Sequence, residues 1–341
     1  MEVEGDNTTI TRGDFEQNDA LPWVEKYRPT SLDNIVSQDD IVATIKRFIE
    51  GNRLPHLLFY GPPGTGKTTT IMAVAKMLYG SSHSSMVLEL NASDDRGINV
   101  VREQIKVFAG TKKLFHTGVK LVILDEADNM TNAAQFALRR IIEKYSQNTR
   151  FCLICNYVSE IIPAVQSRCT RFRFQPLNPQ LIRSRLLYIL RQENVEFDDD
   201  GVAALLALSR GDMRRVINVL QATAMAFGKV TAEHVYRCAG MPSPADMELV
   251  LSSLMAKSYG DALKTLEELQ RKKMFAMSDI LTELVGKLQE VSFPPAVDAF
   301  LYRELADLEV RLNAGTQEEI QLRSLVGIFT KVRSMCSLAV C

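Results

Sequence analysis

The octapeptide GPPGTGKT occupies residues 61–68, with an apolar run at 54–60 in front of it and a helix-forming run behind. Gly61 and Gly66 bracket four residues and are followed by Lys67 and Thr68, the spacing of a phosphate-binding loop. In such a loop the glycines let backbone N–H groups turn inward around a phosphate, and Pro62, Pro63, Gly64, Thr65 and Thr69 complete the cradle. The Lys67 ammonium then reaches the β- and γ-phosphates, and the Thr68 hydroxyl is placed to ligate Mg²⁺. A Gly/Pro surface turn would leave unexplained why a Lys-Thr pair opens a helix directly after a buried-looking strand. The stretch predicts a nucleotide site.

Outward from the loop, strands alternate with helices. Segments 86–90, 120–124, 151–155 and 171–174 read as strands, and 41–49, 69–79, 101–108, 131–145 and 161–165 as helices. This alternation specifies an α/β fold with a parallel sheet, covered on both faces and connected right-handedly. The strand 120–124 runs into Asp125-Glu126-Ala127-Asp128. An acidic pair just past the carboxyl end of a strand is where such a sheet presents catalytic groups. Asp125 is expected to hold the Mg²⁺ shell and Glu126 to orient and activate an attacking water, against the plainer reading of a solvated acidic helix start. On 131–145, Ala134, Ala137, Leu138, Ile141 and Ile142 form the apolar side. Upstream, Trp23, Tyr27 and Pro29 suit either an adenine pocket or packing against the outside of the sheet.

The pattern changes at Pro176. From 177 to 238 it is entirely helical, punctuated by Gly211 and Gly228. Met241-Pro242-Ser243-Pro244 reads as a linker, and the remainder is again helical. There Leu301, Leu305, Leu308 and Leu312, then Leu322, Leu325, Val326 and Phe329, recur at three- and four-residue spacing, which suits core packing and an oligomer interface equally. The expected division is a disordered tail at 1–20, a core at 21–176, a small helical domain at 177–238 and a second helical domain at 239–341.

With 341 residues, 46% hydrophobic and 24% charged, the chain has room for two or three domains with a sizeable core. Its 40 basic and 41 acidic residues nearly cancel, so a nucleic-acid partner has to be read from local patches. No apolar run approaches the length of a membrane span, and 1–20 lacks the basic and apolar segments of a signal peptide, so an intracellular protein is expected. Cys152 and Cys155 have CxxC spacing, but residues three apart on a strand face opposite ways, which argues against a shared metal. Reduced thiols are the expectation for all six cysteines, and the four histidines form no ligand-like cluster.

The accumulated motifs resemble the ATPases associated with diverse cellular activities, and within them the small subunits of replication factor C, the eukaryotic sliding-clamp loader. WVEKYRP at 23–29, GPPGTGKT, LELNASDDRG at 88–97, LVILDEAD at 121–128, RFCLICNY at 150–157, SRC at 167–169 and GDMRR at 211–215 stand in that family's order. The stretch 161–174, IIPAVQSRCTRFRF, is similar to the subgroup numbered three in fungi and five in humans. The resemblance implies a phosphate-loop AAA+ ATPase core, then a helical lid domain and an all-helical collar domain, with ATP and Mg²⁺ as cofactors. It implies that Val24 and Arg28 border the adenine and ribose, and that Asn156 is a polar sensor of the γ-phosphate or attacking water rather than a turn-forming Asn. Arg214 would reach the phosphates from the lid. Arg168 would act as an arginine finger on the neighbouring subunit's ATP rather than as an ordinary surface arginine.

The same resemblance implies partners: other replication factor C subunits in a hetero-pentameric ring, a sliding clamp, and primer–template DNA bound without regard to sequence, in the nucleus and with no membrane. For DNA, the loop 91–97 would offer backbone N–H groups at a helix N-terminus, with Arg96, Arg102, Lys106 and Lys112 nearby. Each of these basic residues fits a solvated face equally well, and Asp94 and Asp95 share the loop. By the same resemblance the helix around 132–145 is a candidate for clamp contact, although its apolar spacing does not separate clamp contact from core packing. Two other functions share the nucleotide motifs. One is a DNA motor of the branch-migration type, which the lack of a winged-helix or basic recognition-helix pattern disfavours. The other is a nucleotide-binding adaptor without turnover, which the presence of Glu126 and Arg168 disfavours.

Overall fold

The computed structural model describes residues 21–339 apart from 36–37, 52, 93–97 and 112–117. The expected tail at 1–20 lies outside the described residues. The chain forms two compact units. One runs to Val195 and takes in Leu205–Gln221; the other comprises Glu196–Ala204 and residues from Ala222 onward. The helical stretch 177–238 is therefore divided between them.

The first unit is built on five strands: β1 (Leu57–Tyr60), β2 (Val87–Asn91), β3 (Lys120–Asp125), β4 (Thr149–Cys155) and β5 (Thr170–Arg173). They lie in the order β2-β3-β4-β1-β5 and every pairing is parallel. The near-continuous apolar runs of β1, β3 and β4 are those of strands buried on both faces. Leu57, Phe59, Leu121, Ile123, Cys152 and Ile154 pack on one face beneath the helices Asp39–Glu50 and Lys67–Tyr79, through Val42, Ile45, Ile71 and Val74. Leu58, Val122, Leu124, Phe151, Leu153 and Cys155 pack on the other, with Ile105, Leu138, Ile141 and Ile142. Each such side chain contributes about 1.5–3 kcal/mol by leaving water. Cys152 and Cys155 point to opposite faces, as their spacing demands, and the described cysteines are all free thiols.

Helix Asn132–Tyr145 departs from its expected stripe in one respect. Ala137 is half-buried, whereas Gln135 is buried. Its amide replaces apolar contact by bonding: Nε2 donates to Met130 O (3.2 Å) and Glu160 O (2.8 Å), and Oε1 accepts from Ile162 N (2.8 Å). Thr131 caps the helix, accepting from Ala134 N.

Past Pro176 come the helices Pro179–Gln192, Asp199–Ser209, Met213–Phe227 and Ala232–Ala239. The expectation of an entirely helical stretch is corrected by β6 (Glu196–Phe197) and β7 (Lys229–Val230), a two-residue parallel pair. In the second unit the tetrapeptide 241–244 is not a linker. Met241 and Pro242 are buried, Ser243 is the N-cap of helix Pro244–Ala256 and Pro244 is its first residue, where a missing N–H costs nothing. Further helices follow at Tyr259–Lys273, Met277–Leu288, Pro295–Asn313 and Glu318–Ala339. Leu301, Leu305, Leu308, Leu322, Leu325, Val326 and Phe329 are buried in their common core, so the leucine stripe packs inside this unit. Among the described residues no helix is long and apolar enough to cross a membrane.

Candidate functional site

Because β1 lies beside β4 and β4 beside β3, their carboxyl ends bring three separate motifs side by side. β1 delivers the loop 61–66, β3 delivers Asp125, and β4 is followed by Asn156. Two loop positions require glycine. Gly61 has φ 142° and a Cβ there would lie 2.2 Å from Phe174 O; Gly64 has φ 67° and its Cβ would lie 1.7 Å from Asp212 Oδ1. The second contact seats the loop against the start of helix Met213–Phe227, where Met213 N also donates to Gly64 O (3.3 Å).

Lys67 opens the helix behind the loop and is only 7% exposed. Its ammonium donates to Gly61 O (2.6 Å), Pro62 O (2.7 Å) and Asn156 Oδ1 (3.0 Å). Burial draws its pKa below the ordinary lysine value, and the Asp125 charge works the other way. Thr68 Oγ1 donates to Asp125 Oδ2 (2.8 Å), and Asp125 Oδ1 accepts from Glu126 N (2.9 Å). Glu126 is exposed, with φ 53°, a left-handed conformation uncommon outside glycine, and it accepts from Asn129 Nδ2 (3.3 Å). Asp128 Oδ2 accepts from the backbone N–H groups of Asn156 (2.9 Å) and Tyr157 (3.3 Å).

A cleft opens over this floor. Pro63, Gly64, Thr65, Gly66, Lys67, Thr68, Thr69, Asp125, Glu126, Asn156 and Arg214 line it together with Val24 and Arg28. Gly61 and Pro62 do not line the cleft and instead hold the Lys67 ammonium by their carbonyls. The two readings of the segment 23–29 divide: Tyr27 and Pro29 line the cleft, whereas Trp23 does not and its backbone N–H donates to Gln221 Oε1 (3.0 Å). Ile35, Leu177, Arg185, Met213 and Ile217 also line it and were not singled out from sequence. Met213 and Ile217 are four apart on a helix and so share a face, the one signal that Arg214 could have offered toward them. Arg185 donates to Tyr27 O (2.8 Å) and lies over the Tyr188 ring at 5.1 Å. The Tyr27 hydroxyl donates to Glu193, and burial followed by that bond raises its pKa well above the usual phenol value. Apolar side chains and a set of cations and carboxylates thus line one cleft, a combination that suits a base together with phosphates.

Arg168 stands apart from the cleft. It follows the short helix Pro163–Gln166, donates from Nε to Glu143 Oε1 (2.8 Å) and from Nη1 to Ala164 O (2.6 Å), and is about one-third exposed. Of the basic residues considered for DNA, Lys106 pairs with Glu103 (2.7 Å) on the surface of helix Ile98–Gly110. Arg96 and Lys112 lie outside the described residues, and the Arg102 side chain does too.

Comparison with known proteins bears on this geometry. The model of the ATPase family associated with various cellular activities matches residues 57–177, and that of the replication factor C C-terminal domain matches 242–327. The chain is 55% identical to mouse (Mus musculus) replication factor C subunit 5 over 92% of its own length and 93% of that protein's. It is 49% identical to replication factor C subunit 3 of Schizosaccharomyces pombe, over 90% of each chain. Among solved structures, the Thermotoga maritima RuvB Holliday junction branch migration motor aligns with a TM-score of 0.50, covering 70% of this chain and 85% of that one. At 16% identity this likeness concerns the fold alone. The parallel sheet, the assembled phosphate loop and the matches along nearly the whole chain lead to one assignment: this chain belongs to the replication factor C family of AAA ATPases.

Proposed function

We propose that this chain is an ATP-hydrolysing subunit of a replication factor C clamp loader, which uses ATP to open a sliding clamp and load it onto primer–template DNA for replication and repair synthesis. The observation that carries the reading is the convergence of Lys67, Thr68, Asp125, Glu126, Asn156 and Arg214 on one cleft, in a chain about half identical to replication factor C subunits over nine-tenths of its length. A nucleotide-binding adaptor without turnover would not need Glu126 beside that constellation.

The Lys67 ammonium is satisfied by two loop carbonyls and the Asn156 amide. The β- and γ-phosphate oxygens would take over as its acceptors, leaving Asn156 to address the γ-phosphate or the attacking water. The donor set suits Mg²⁺: Thr68 Oγ1 and Asp125 Oδ2 are hard oxygens 2.8 Å apart, and they would hold the ion. When bound, Mg²⁺ supplies neutralisation of phosphate charge. Glu126 would orient and deprotonate the attacking water. Arg214 would bind the phosphates, and Val24, Tyr27, Met213 and Ile217 would enclose the base.

Arg168, outside its own cleft, would complete the site of an adjacent subunit in a hetero-pentameric ring. The core at 21–176, the lid at 177–238 and the collar at 239–341 would then divide chemistry, closure and assembly. Sequence-independent DNA binding would fall to the loop 91–97 and the helix behind it, and clamp contact to the helix Asn132–Tyr145, where Phe136 is half-exposed. The setting for this work is the nucleus.

The test is ATP turnover of the purified chain alone and after reconstitution with its partner subunits, with and without primed DNA and clamp. Low activity alone and a large rise on assembly are expected. With Arg168→Ala the assembled rate should fall by about 10³-fold at the site it completes, while ATP binding to the isolated chain is unchanged. Full activity as a monomer, indifferent to DNA and clamp, would refute the reading.

A further inference from the structure

Asp128, the last residue of the Asp125–Asp128 tetrapeptide, has no part in the chemistry above, yet it joins the two halves of the floor. It lies in the turn Ala127–Asn129, which starts one residue after Glu126 and is closed by Asn129 N donating to Glu126 O (3.0 Å). Its Oδ2 accepts both backbone N–H groups that follow the end of β4, those of Asn156 (2.9 Å) and Tyr157 (3.3 Å). Asn156 Oδ1 then accepts from Lys67 Nζ (3.0 Å). A continuous set of bonds thus runs from the Glu126 turn through Asp128 to Asn156 and on to Lys67.

A second observation separates this carboxylate from an ordinary brace. Asp128 Oδ1 is buried and has no hydrogen-bond partner among the described residues. A buried oxygen without a partner costs stability, so a purely structural link would be better served by a neutral acceptor. What the charge adds is strength and direction in the two N–H bonds. It also favours the charged form of Lys67, against the burial that opposes it.

We propose that Asp128 is a positioning residue: it fixes Asn156 relative to Glu126 and Lys67, so that the sensor amide and the general base face the same point. The proposal rests on the reading of Asn156 as the group that addresses the γ-phosphate or attacking water. Asp128 itself touches neither. Misplacing the sensor affects the transition state more than the bound ground state, so the loss belongs in kcat rather than in KM.

The experiment uses the assembled complex in which the partner subunits carry replaced phosphate-loop lysines, so that turnover reports this site. Asp128→Ala is expected to lower kcat about tenfold or more with KM for ATP changed less than about threefold, and Asp128→Asn, which keeps an oxygen acceptor but not the charge, to recover only part of the loss. Asn156→Ala should give a loss of similar size. The double variant should be no slower than the slower single one, because both remove one device. Should Asp128→Ala fail to fold, Asp128→Ser, too short to reach both amides, supplies the same comparison. The proposal is overturned by a wild-type kcat in Asp128→Ala, by an effect confined to KM, by losses that multiply in the double variant, or by an Asp128→Asn no better than Asp128→Ala. A wild-type kcat in Asn156→Ala would instead overturn the sensor reading on which it rests.

Discussion

Lys67→Met separates what this lysine does for the fold from what it does for the nucleotide. The side chain is 7% exposed and its ammonium makes three hydrogen bonds, to Gly61 O, Pro62 O and Asn156 Oδ1. A hydrogen bond to a charged group contributes about 1.5–3 kcal/mol, while withdrawing an ammonium from water costs several kcal/mol. The terms oppose one another, so the nucleotide-free variant should differ from wild type by no more than about 2 kcal/mol. Nothing opposes the nucleotide term. At a hundred times its Kd a ligand stabilises the folded state by about 2.7 kcal/mol, or about 5–11 °C in Tm for a unit of this size. Thermal unfolding with and without ATP and Mg²⁺ should show that shift in wild type and lose it in Lys67→Met. The lowered pKa adds a signed prediction. Between the folded-state value and the ordinary value of 10.5, the unfolded chain holds more protons, so raising the pH favours the folded state. The destabilisation from the buried ammonium is present in full below the folded-state value and fades as the pH rises from there toward 10.5, a slope that Lys67→Met should lack. A variant that keeps most of its ATP-induced shift would refute the phosphate role. One that loses about 4 kcal/mol without nucleotide would refute the cancellation.

Two further outcomes concern stability. Ser243→Ala removes a capping box in which Ser243 Oγ accepts from Asp246 N (3.3 Å) and donates to Asp246 Oδ2 (2.7 Å); urea unfolding of the C-terminal unit should report a loss of about 1 kcal/mol. His56 is held neutral, its pKa lowered from 6.5 to about 4 by burial and then by the Arg150 charge, with Nδ1 accepting from Phe151 N (3.2 Å). The unfolded chain protonates first, so stability is complete above pH 6.5 and declines as the pH falls through that window toward 4; His56→Asn should flatten this part of the pH profile of unfolding.

Local spacing made part of the site legible. The phosphate loop, the acidic pair after β3 and the Asn after β4 each sit at the carboxyl end of a strand whose apolar run is visible in sequence, and parallel pairing then brings them together. The apolar lining of the cleft was not legible in the same way. Ile35, Leu177 and Ile217 come from scattered elements, and nothing in an isoleucine on a helix distinguishes a base-enclosing role from core packing. The tetrapeptide 241–244 misled because Ser-Pro is both a turn signal and the start of a capped helix, and only the Asp246 bonds decide between them. Gln135 is not legible in sequence because its burial depends on three backbone partners, all of which lie outside its own helix. β6 and β7, two residues each, are too short for any periodicity to register.

The segment 23–29 is secured by residues far away in sequence: Trp23 N by Gln221 across 198 positions, the Tyr27 hydroxyl by Glu193 across 166, and Tyr27 O by Arg185 across 158. On the ribosome, where chains grow at about 5–20 residues per second, Trp23 is exposed about 10–40 s before its partner is made. This wall of the cleft is thus translated early and completed late. On the proposed reading, nucleotide meets a complete wall only once the helix Met213–Phe227 has emerged, which makes ATP a ligand of the folded first unit and not a template for its synthesis.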